Sequence, residues 1–134
     1  AKKLNAGTIS SSGNFSETSV NLVREKIAYL GLDNIELISG DFERSMNEHE
    51  FRSLKLMAAL VDCDLYAGYK SCLPFIWDKL SLGGYVYLDE YYSLKFPGAR
   101  RASVEYFLSQ EDKPQMHAQE PGDFERWYVR KMHV

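Results

Sequence analysis

Acidic side chains directly follow two short apolar runs of the chain. Leu60-Val61 ends in Asp62-Cys63-Asp64, and Tyr85-Val86-Tyr87-Leu88 ends in Asp89-Glu90. Such runs are typical of buried strands in a parallel α/β sheet, whose carboxyl ends form the ligand-binding edge. Carboxylate oxygens are the ligands that hard divalent cations prefer. We therefore expect a cation site beside a substrate pocket, built from four acids: Asp62, Asp64, Asp89 and Glu90.

Simpler interpretations exist for each acid taken alone. Acids at strand ends are often solvated loop residues, and Asp64 could cap a helix that is predicted to start near Ala67. The nearby tyrosines are equally ambiguous, because they either line a sugar pocket or pack on the sheet with a hydrated hydroxyl. These are Tyr85, Tyr87, Tyr91 and Tyr92.

Composition excludes several classes of partner. The 134 residues carry a net charge of −3 with both signs scattered, which leaves no basic surface for nucleic acid. No apolar run approaches the roughly 18 residues that cross a bilayer. The positive start Ala1-Lys2-Lys3 has no apolar segment behind it, so we do not expect a signal peptide. Cys63 and Cys72 fit neither a metal spacing nor a disulfide framework and indicate reduced, buried thiols in a cytoplasmic protein.

Hydrophobic periodicity divides the chain into a polar arm or loop, residues 1–15, and a single α/β domain, residues 16–134. A first helix is predicted from Ser16 or Thr18, either of which could be its N-cap, to about Gly31. Further helices are predicted at 67–80, with Tyr69, Leu73, Ile76 and Leu80 on one face, at 99–108, and weakly at 45–51. Strands are predicted at 35–39, 54–61, 85–88, 115–119 and 126–133.

The alternation of these elements predicts a mostly parallel sheet with helical crossovers. Gly83-Gly84 is expected to end the helix before the 85–88 strand. The last two strands are joined by a short connection, which favours an antiparallel hairpin and makes the sheet mixed.

Three segments together resemble one known family. They are Val61-Asp62-Cys63-Asp64-Leu65-Tyr66, Leu82-Gly83-Gly84 with the strand that ends at Asp89-Glu90-Tyr91, and Gly98-Ala99-Arg100-Arg101-Ala102. They are similar to the macrocin O-methyltransferase-like (TylF-type) group of class I S-adenosylmethionine-dependent methyltransferases, over roughly residues 16–134. The resemblance implies a Rossmann-like methyltransferase sheet with a C-terminal hairpin. It also implies S-adenosylmethionine as cofactor and a divalent cation, usually magnesium, that orients the sugar diol to be methylated.

The resemblance also assigns roles to individual acids. Asp62 and Asp89 are implied as metal ligands, with Glu90 as a third acid where the family usually has Asp. Asp64 is the implied general base for the acceptor hydroxyl. Asp41 lies where such enzymes often contact the adenine end of the cofactor, and Asp62 is assigned to cofactor binding as well. A cation that binds a diol both positions it and lowers its pKa, which suits in-line methyl transfer.

The chain departs from the family in its first part. It has no Gly-x-Gly-x-x-Gly-like segment for the cofactor, since Gly7 and Gly13 lie in the polar arm. The implied sheet order is third, second, first, fourth, fifth, seventh and sixth strand, and the first two strands have no counterpart. The 35–39 and 54–61 strands would then have unpaired edges. Either they pair directly, or a second copy fills the gap, or the chain is a fragment, which we favour; we expect homo-oligomers in each case.

Two functions fit these observations. The first is the C-terminal part of a metal- and S-adenosylmethionine-dependent O-methyltransferase that acts on sugar-like hydroxyls of a small molecule, and that need not be active as this chain alone. The alternative is a non-catalytic binding or self-assembly module derived from that fold. The acid cluster with its flanking motif favours the first for the parent protein, whereas the missing glycine loop favours the second for this chain.

Overall fold

The computed structural model describes residues 16–47, 51, 53–117 and 125–134, which group into two compact units that divide after Gly40. The predicted polar arm, residues 1–15, lies outside the described residues, and the assignment of 16–134 to one domain stays a prediction. No helix among the described residues is long and apolar enough to cross a bilayer.

The first unit contains helix α1, Val20–Tyr29. Its N-cap is Ser19 rather than Ser16 or Thr18, because the Ser19 hydroxyl accepts the Leu22 N–H at 3.1 Å. Gly31 follows the helix with a φ of +65°, the left-handed conformation expected just past a C-cap. The predicted strand at 35–39 is wrong. These residues are irregular and join no ladder in the described chain, and a strand exists only where a neighbour completes its hydrogen bonds.

The second unit is a mixed α/β structure. Its elements are α2 (Phe42–Ser45), β1 (Leu56–Val61), α3 (Tyr66–Lys79), β2 (Leu80–Leu88), α4 (Pro97–Phe107), β3 (Gln115–His117) and β4 (Arg126–Arg130). In the described part of this unit, four strands form one sheet in the order β1-β2-β4-β3. The β1–β2 pair is parallel, whereas β2–β4 and β3–β4 are antiparallel. The mixed sheet and the C-terminal hairpin are therefore confirmed.

The two consecutive glycines lie inside β2 and do not end α3, which corrects the predicted strand start. The helix stops at Lys79, and Leu80 is already extended. The Gly83 N–H donates to the Lys131 carbonyl at 2.7 Å, and the Lys131 N–H donates to the Gly84 carbonyl at 2.8 Å. The glycines therefore belong to the backbone pairing of the sheet.

Two other boundaries differ from the prediction. The weakly patterned helix forms earlier than expected, as α2, while residues 48–50 of its predicted range lie outside the described residues. The last strand ends at Arg130 because the Asp112 carboxylate accepts the N–H groups of Met132 and His133 at 2.9 and 3.1 Å. Residues 118–119 of the predicted β3 range are also outside the described part of the chain.

Helices α3 and α4 pack against each other, and α3 contacts β1 and β2. The apolar face predicted for α3 is confirmed for Tyr69, Leu73 and Ile76, which are buried. Leu80 is also buried, but it is the first residue of β2 and not part of the helix. Trp77 meets Phe107 of α4 edge-on, with ring centroids 5.0 Å apart. Burial of a large apolar side chain contributes about 1.5–3 kcal/mol. This core therefore holds α3 firmly against the two strands that carry the acids. Both cysteines are unpaired, with Cys72 buried and Cys63 half-buried.

We expect Gly84→Ala to destabilise the second unit by about 2–3 kcal/mol, the cost of overpacking a tight contact. A Cβ at this position would lie 2.7 Å from the Met57 carbonyl oxygen and 2.9 Å from that of Ser81, and neither backbone atom can move easily. The matched control is Gly83→Ala. Gly83 has a φ of +84° but open space around its missing Cβ, so only backbone strain of about 1 kcal/mol applies. Urea unfolding measures both variants, and equal losses would contradict the close-approach argument.

Candidate metal centre

Parallel pairing brings the carboxyl ends of β1 and β2 to the same edge of the sheet. Val61 is the register partner of Leu88, the last residue of β2. The pairing continues one residue further, since the Asp89 N–H donates to the Val61 carbonyl at 3.1 Å. Asp62 and Asp89 therefore leave the sheet side by side, each at the first position after its strand.

Three of the predicted acids come together at this edge. Asp62, Asp89 and Glu90 each offer a carboxylate oxygen, and these oxygens all lie within 4.8 Å of one another. Oxygens that share a cation at about 2.0–2.6 Å are separated by no more than about 5 Å. Asp62 is exposed and the other two are half-buried, so the cluster is open to solvent on one side. The donor set fits a hard divalent cation such as magnesium.

Electrostatics within the cluster favour positive charge. Burial raises the pKa of the Asp89 carboxyl, and the negative charge of Asp62 raises it further. The Arg126 guanidinium acts in the opposite direction, and Asp64 adds a smaller increase. Ionisation of Asp89 is therefore less favourable in the native protein than in water. A bound cation would offset this electrostatic cost.

Asp64 lies near these acids but outside the group of three. Its backbone adopts a φ of +55°, an uncommon left-handed conformation that Asp tolerates better than most residues. The N-cap of α3 is Leu65, and no side chain caps the helix, so the capping interpretation of Asp64 is wrong. Its predicted role as general base stays a prediction.

Asp41 has a local structural role. It is the N-cap of α2, and its carboxylate accepts the Glu43 N–H at 3.0 Å. The structure does not bring Asp41 into the acid cluster. Its predicted contact with the adenine end of the cofactor, and that of Asp62 with the cofactor, stay predictions.

Tyr69 also contacts the backbone beside the acid cluster, whereas the sequence pattern predicts it only on the apolar face of α3. The Tyr69 hydroxyl donates to the Val61 carbonyl at 2.8 Å and accepts the Glu90 N–H at 3.1 Å. The side chain is fully buried, and burial is the main reason that its pKa is raised. The sequence offers one general indication of this role, because a tyrosine on a buried helix face needs a polar partner for its hydroxyl.

Aromatic side chains extend from the acids along the sheet. Tyr91, which follows Glu90, is buried and stacks on Trp127 with ring centroids 4.5 Å apart. The Arg100 guanidinium lies 5.4 Å from the centre of the Tyr91 ring. Of the two interpretations of the tyrosines, packing therefore describes Tyr91.

A groove of about 860 Å³ lies elsewhere, on the outer side of α3. It is lined by residues of α2 and α3 together with Asn47 and Phe51, and it includes none of the clustered acids. The groove is therefore separate from the candidate metal centre.

We expect Asp89→Asn to increase resistance to urea at neutral pH in the presence of a chelator. A raised native pKa means that this carboxyl favours folding only while it is protonated, and that this contribution is lost as the pH rises through the native pKa. The gain should disappear in acid, where Asp89 of the unchanged chain is protonated and is as neutral as the asparagine of the variant. Asp33→Asn in the first unit is the control for removal of one charge. A lower urea midpoint for Asp89→Asn at neutral pH would contradict the proposed repulsion.

Comparison with known proteins identifies the family and the fold of this chain. The family model described as macrocin O-methyltransferase (TylF) matches residues 6–118. The structure of the O-methyltransferase NovP superposes with a TM-score of 0.71 at 20% identity, covering 96% of this chain and 55% of that one. That of CalS11, a calicheamicin methyltransferase, gives 0.60 at 26% identity, covering 70% and 36%.

An rRNA methylase from Streptococcus thermophilus gives a TM-score of 0.55 at 16% identity, covering 85% of this chain and 68% of that one. At such low identity, the likeness to NovP and to the rRNA methylase shows a shared fold. The chain spans about half of NovP and about a third of CalS11. No curated protein sequence matches it. Because the family model covers most of its length, this chain belongs to the macrocin O-methyltransferase (TylF) family.

Proposed function

We propose that this chain carries the cation- and acceptor-binding part of an S-adenosylmethionine-dependent O-methyltransferase that acts on sugar-like hydroxyls. The observation that carries the proposal is the convergence of Asp62, Asp89 and Glu90 at one sheet edge in a member of the TylF family. CalS11, one of the similar structures, is described as a TDP-rhamnose 3'-O-methyltransferase, which supports a sugar acceptor.

The sheet topology supports the same proposal. The order β1-β2-β4-β3 is the relative order that the family resemblance implies for its fourth, fifth, seventh and sixth strands. In open α/β sheets, ligands bind beyond the carboxyl ends of the parallel strands. The acids lie at that end of β1 and β2.

In the proposed reaction, the three clustered acids hold a divalent cation, and Asp64 accepts the proton of the acceptor hydroxyl. The cation, when bound, supplies positive charge that orients two neighbouring hydroxyls and lowers their pKa. S-adenosylmethionine supplies the methyl group. Asp41 and Asp62 would face the cofactor, and the capping of α2 holds Asp41 in place. Asp64 follows Asp62 by two residues and acts electrostatically on Asp89, so the proposed base lies beside the proposed cation site.

We expect the chain to bind Mg²⁺ or Mn²⁺, and we expect Asp62→Asn and Asp89→Asn each to weaken this binding by at least about tenfold. Loss of a direct ligand should cost no less than loss of an outer-shell partner, which typically costs about 10–100-fold. Calorimetric titration measures the affinity. Asp64→Asn is the matched control, because it removes the same charge two residues away from Asp62 and should change affinity by less than about threefold. If the unchanged chain binds neither ion, the proposed centre is wrong.

Titration with S-adenosylmethionine distinguishes a complete enzyme from a partial one. We expect the chain by itself to bind the cofactor no more tightly than about 1 mM, equivalent to roughly 4 kcal/mol, because it has no glycine-rich phosphate or cofactor loop. Tighter binding would show that this chain forms a cofactor site, and would contradict its assignment as an inactive part.

A different observation favours the alternative, a self-assembly module. Among the described residues, β1 pairs only with β2, so its other edge carries no strand. Met57 and Leu60 on β1 are 82% and 62% exposed. An apolar strand with an open edge is a template for pairing with another chain.

We expect the chain to form dimers or larger homo-oligomers at micromolar concentration, as measured by size-exclusion chromatography with light scattering. A charge on an edge strand opposes pairing with another strand, so Leu60→Lys should shift the protein toward monomer. Leu94→Lys is the control, since Leu94 is also an exposed leucine, at 97%, but lies outside the sheet. A monodisperse monomer of the unchanged chain would rule out this association.

A further inference from the structure

We propose that Tyr69 is a positioning residue of the candidate metal centre, and that its hydroxyl fixes the distance between the two strand ends that carry the acids. The inference rests on the proposed cation site and adds to it a residue that is not itself a ligand. The functional roles considered above use only acidic side chains.

The hydroxyl uses both of its hydrogen-bonding roles between the two strand ends. It donates to the carbonyl of Val61, the last residue of β1, at 2.8 Å. It accepts the N–H of Glu90, two residues past β2, at 3.1 Å. The same Val61 carbonyl accepts the Asp89 N–H at 3.1 Å. One carbonyl, one hydroxyl and two amides therefore form a connected group.

Every clustered acid is attached to this group. Asp89 and Glu90 contribute its two amides, and Asp62 follows Val61 by a single peptide bond. The peptide planes that set the direction of all three side chains are thus tied to one phenolic oxygen. Such outer bonds orient ligands and fix their spacing before a cation arrives.

The repulsion among the acids explains why this link matters. Three carboxylate oxygens within 4.8 Å push the strand ends apart when no cation is present. The last register pair of β1 and β2 is Val61–Leu88, and the Asp89 N–H bond to the Val61 carbonyl extends the ladder by one backbone bond. Tyr69 adds a bridge beyond the ladder, at the point where the repulsion acts.

The bridge has a rigid base. Tyr69 is 0% exposed, and its neighbours on the same face of α3, Leu73 and Ile76, belong to the buried core. Helix α3 also packs tightly on the loop that carries Asp62, because a Cβ at Gly68 would lie only 2.8 Å from the Cys63 sulfur. The hydroxyl position is therefore determined by the core and not by the exposed edge.

Tyr69→Phe tests the proposal, because it keeps the buried ring and removes only the hydroxyl. We expect the dissociation constant for Mg²⁺ or Mn²⁺ to rise by about tenfold or more, as for other outer-shell partners. We also expect faster hydrogen exchange of the Glu90 amide, which loses its acceptor. Calorimetry and amide exchange by NMR measure the two effects on the whole chain.

Two control variants separate positioning from general stability. Tyr106→Phe removes the hydroxyl of another partly buried tyrosine, on α4, and should change neither readout. Phe107→Leu reduces core packing on α4, a different helix from that of Tyr69, without removing a bond to the strand ends, so it lowers stability and should leave cation affinity within about threefold.

The outcomes are distinct. Unchanged cation affinity in Tyr69→Phe overturns the inference, and so does an equal loss of affinity in Phe107→Leu. If the unchanged chain binds no cation, the proposed function loses its metal centre, whereas the exchange rate of the Glu90 amide still reports on the bridge. An exchange rate that is the same with and without the hydroxyl then overturns the inference by itself.

Discussion

The parallel pairing of β1 with β2 is the constraint on which the rest of the second unit depends. Two parallel strands that are consecutive in the chain require a crossover, and α3 supplies it. The pairing sends both strands toward the same edge, so acids that are far apart in sequence become neighbours. The crossover in turn buries one face of α3 against the strands, and this burial keeps the two strand ends in register.

The acids of the candidate site lower the stability of the fold that holds them together. Burial and the nearby Asp62 raise the pKa of Asp89, so ionisation of this carboxyl is less favourable in the native protein than in the unfolded chain. Proteins commonly tolerate such local conflict at functional sites and compensate for it elsewhere. Here the compensation comes from the α3–α4 core, where Trp77 and Phe107 pack edge-on, and from the backbone bonds at Val61.

Two features of the second unit support different proposals for its function. The chain belongs to the TylF family, yet it spans only 55% of NovP and 36% of CalS11. The acids at the sheet edge suit an acceptor and a cation, while the described residues leave one edge of β1 without a partner strand. The two proposals therefore rest on different parts of the same strand pair. The partial methyltransferase rests on the carboxyl ends of β1 and β2, and the self-associating module rests on the unpaired edge of β1.

The sequence by itself determined the features that depend on short-range pattern. Apolar runs located β1 and the end of β2, helical spacing located α3 and its buried face, and the residues after each strand identified the acids. These predictions succeed because local hydrophobic periodicity determines the alternation of strand and helix. Chain connectivity then determines the direction of the parallel strands.

Only the tertiary structure decided the features that depend on distant partners. Residues 35–39 have the composition of a strand but no partner strand in the described chain, so they stay irregular. Gly83 and Gly84 look like a helix stop, but the approach of Met57 and Lys131 places them in β2. Tyr69 reads as one more apolar position, whereas its hydroxyl bonds residues 8 and 21 positions away. A hydrogen bond between residues that far apart leaves no periodic signal in the sequence, because only folding brings its donor and acceptor together.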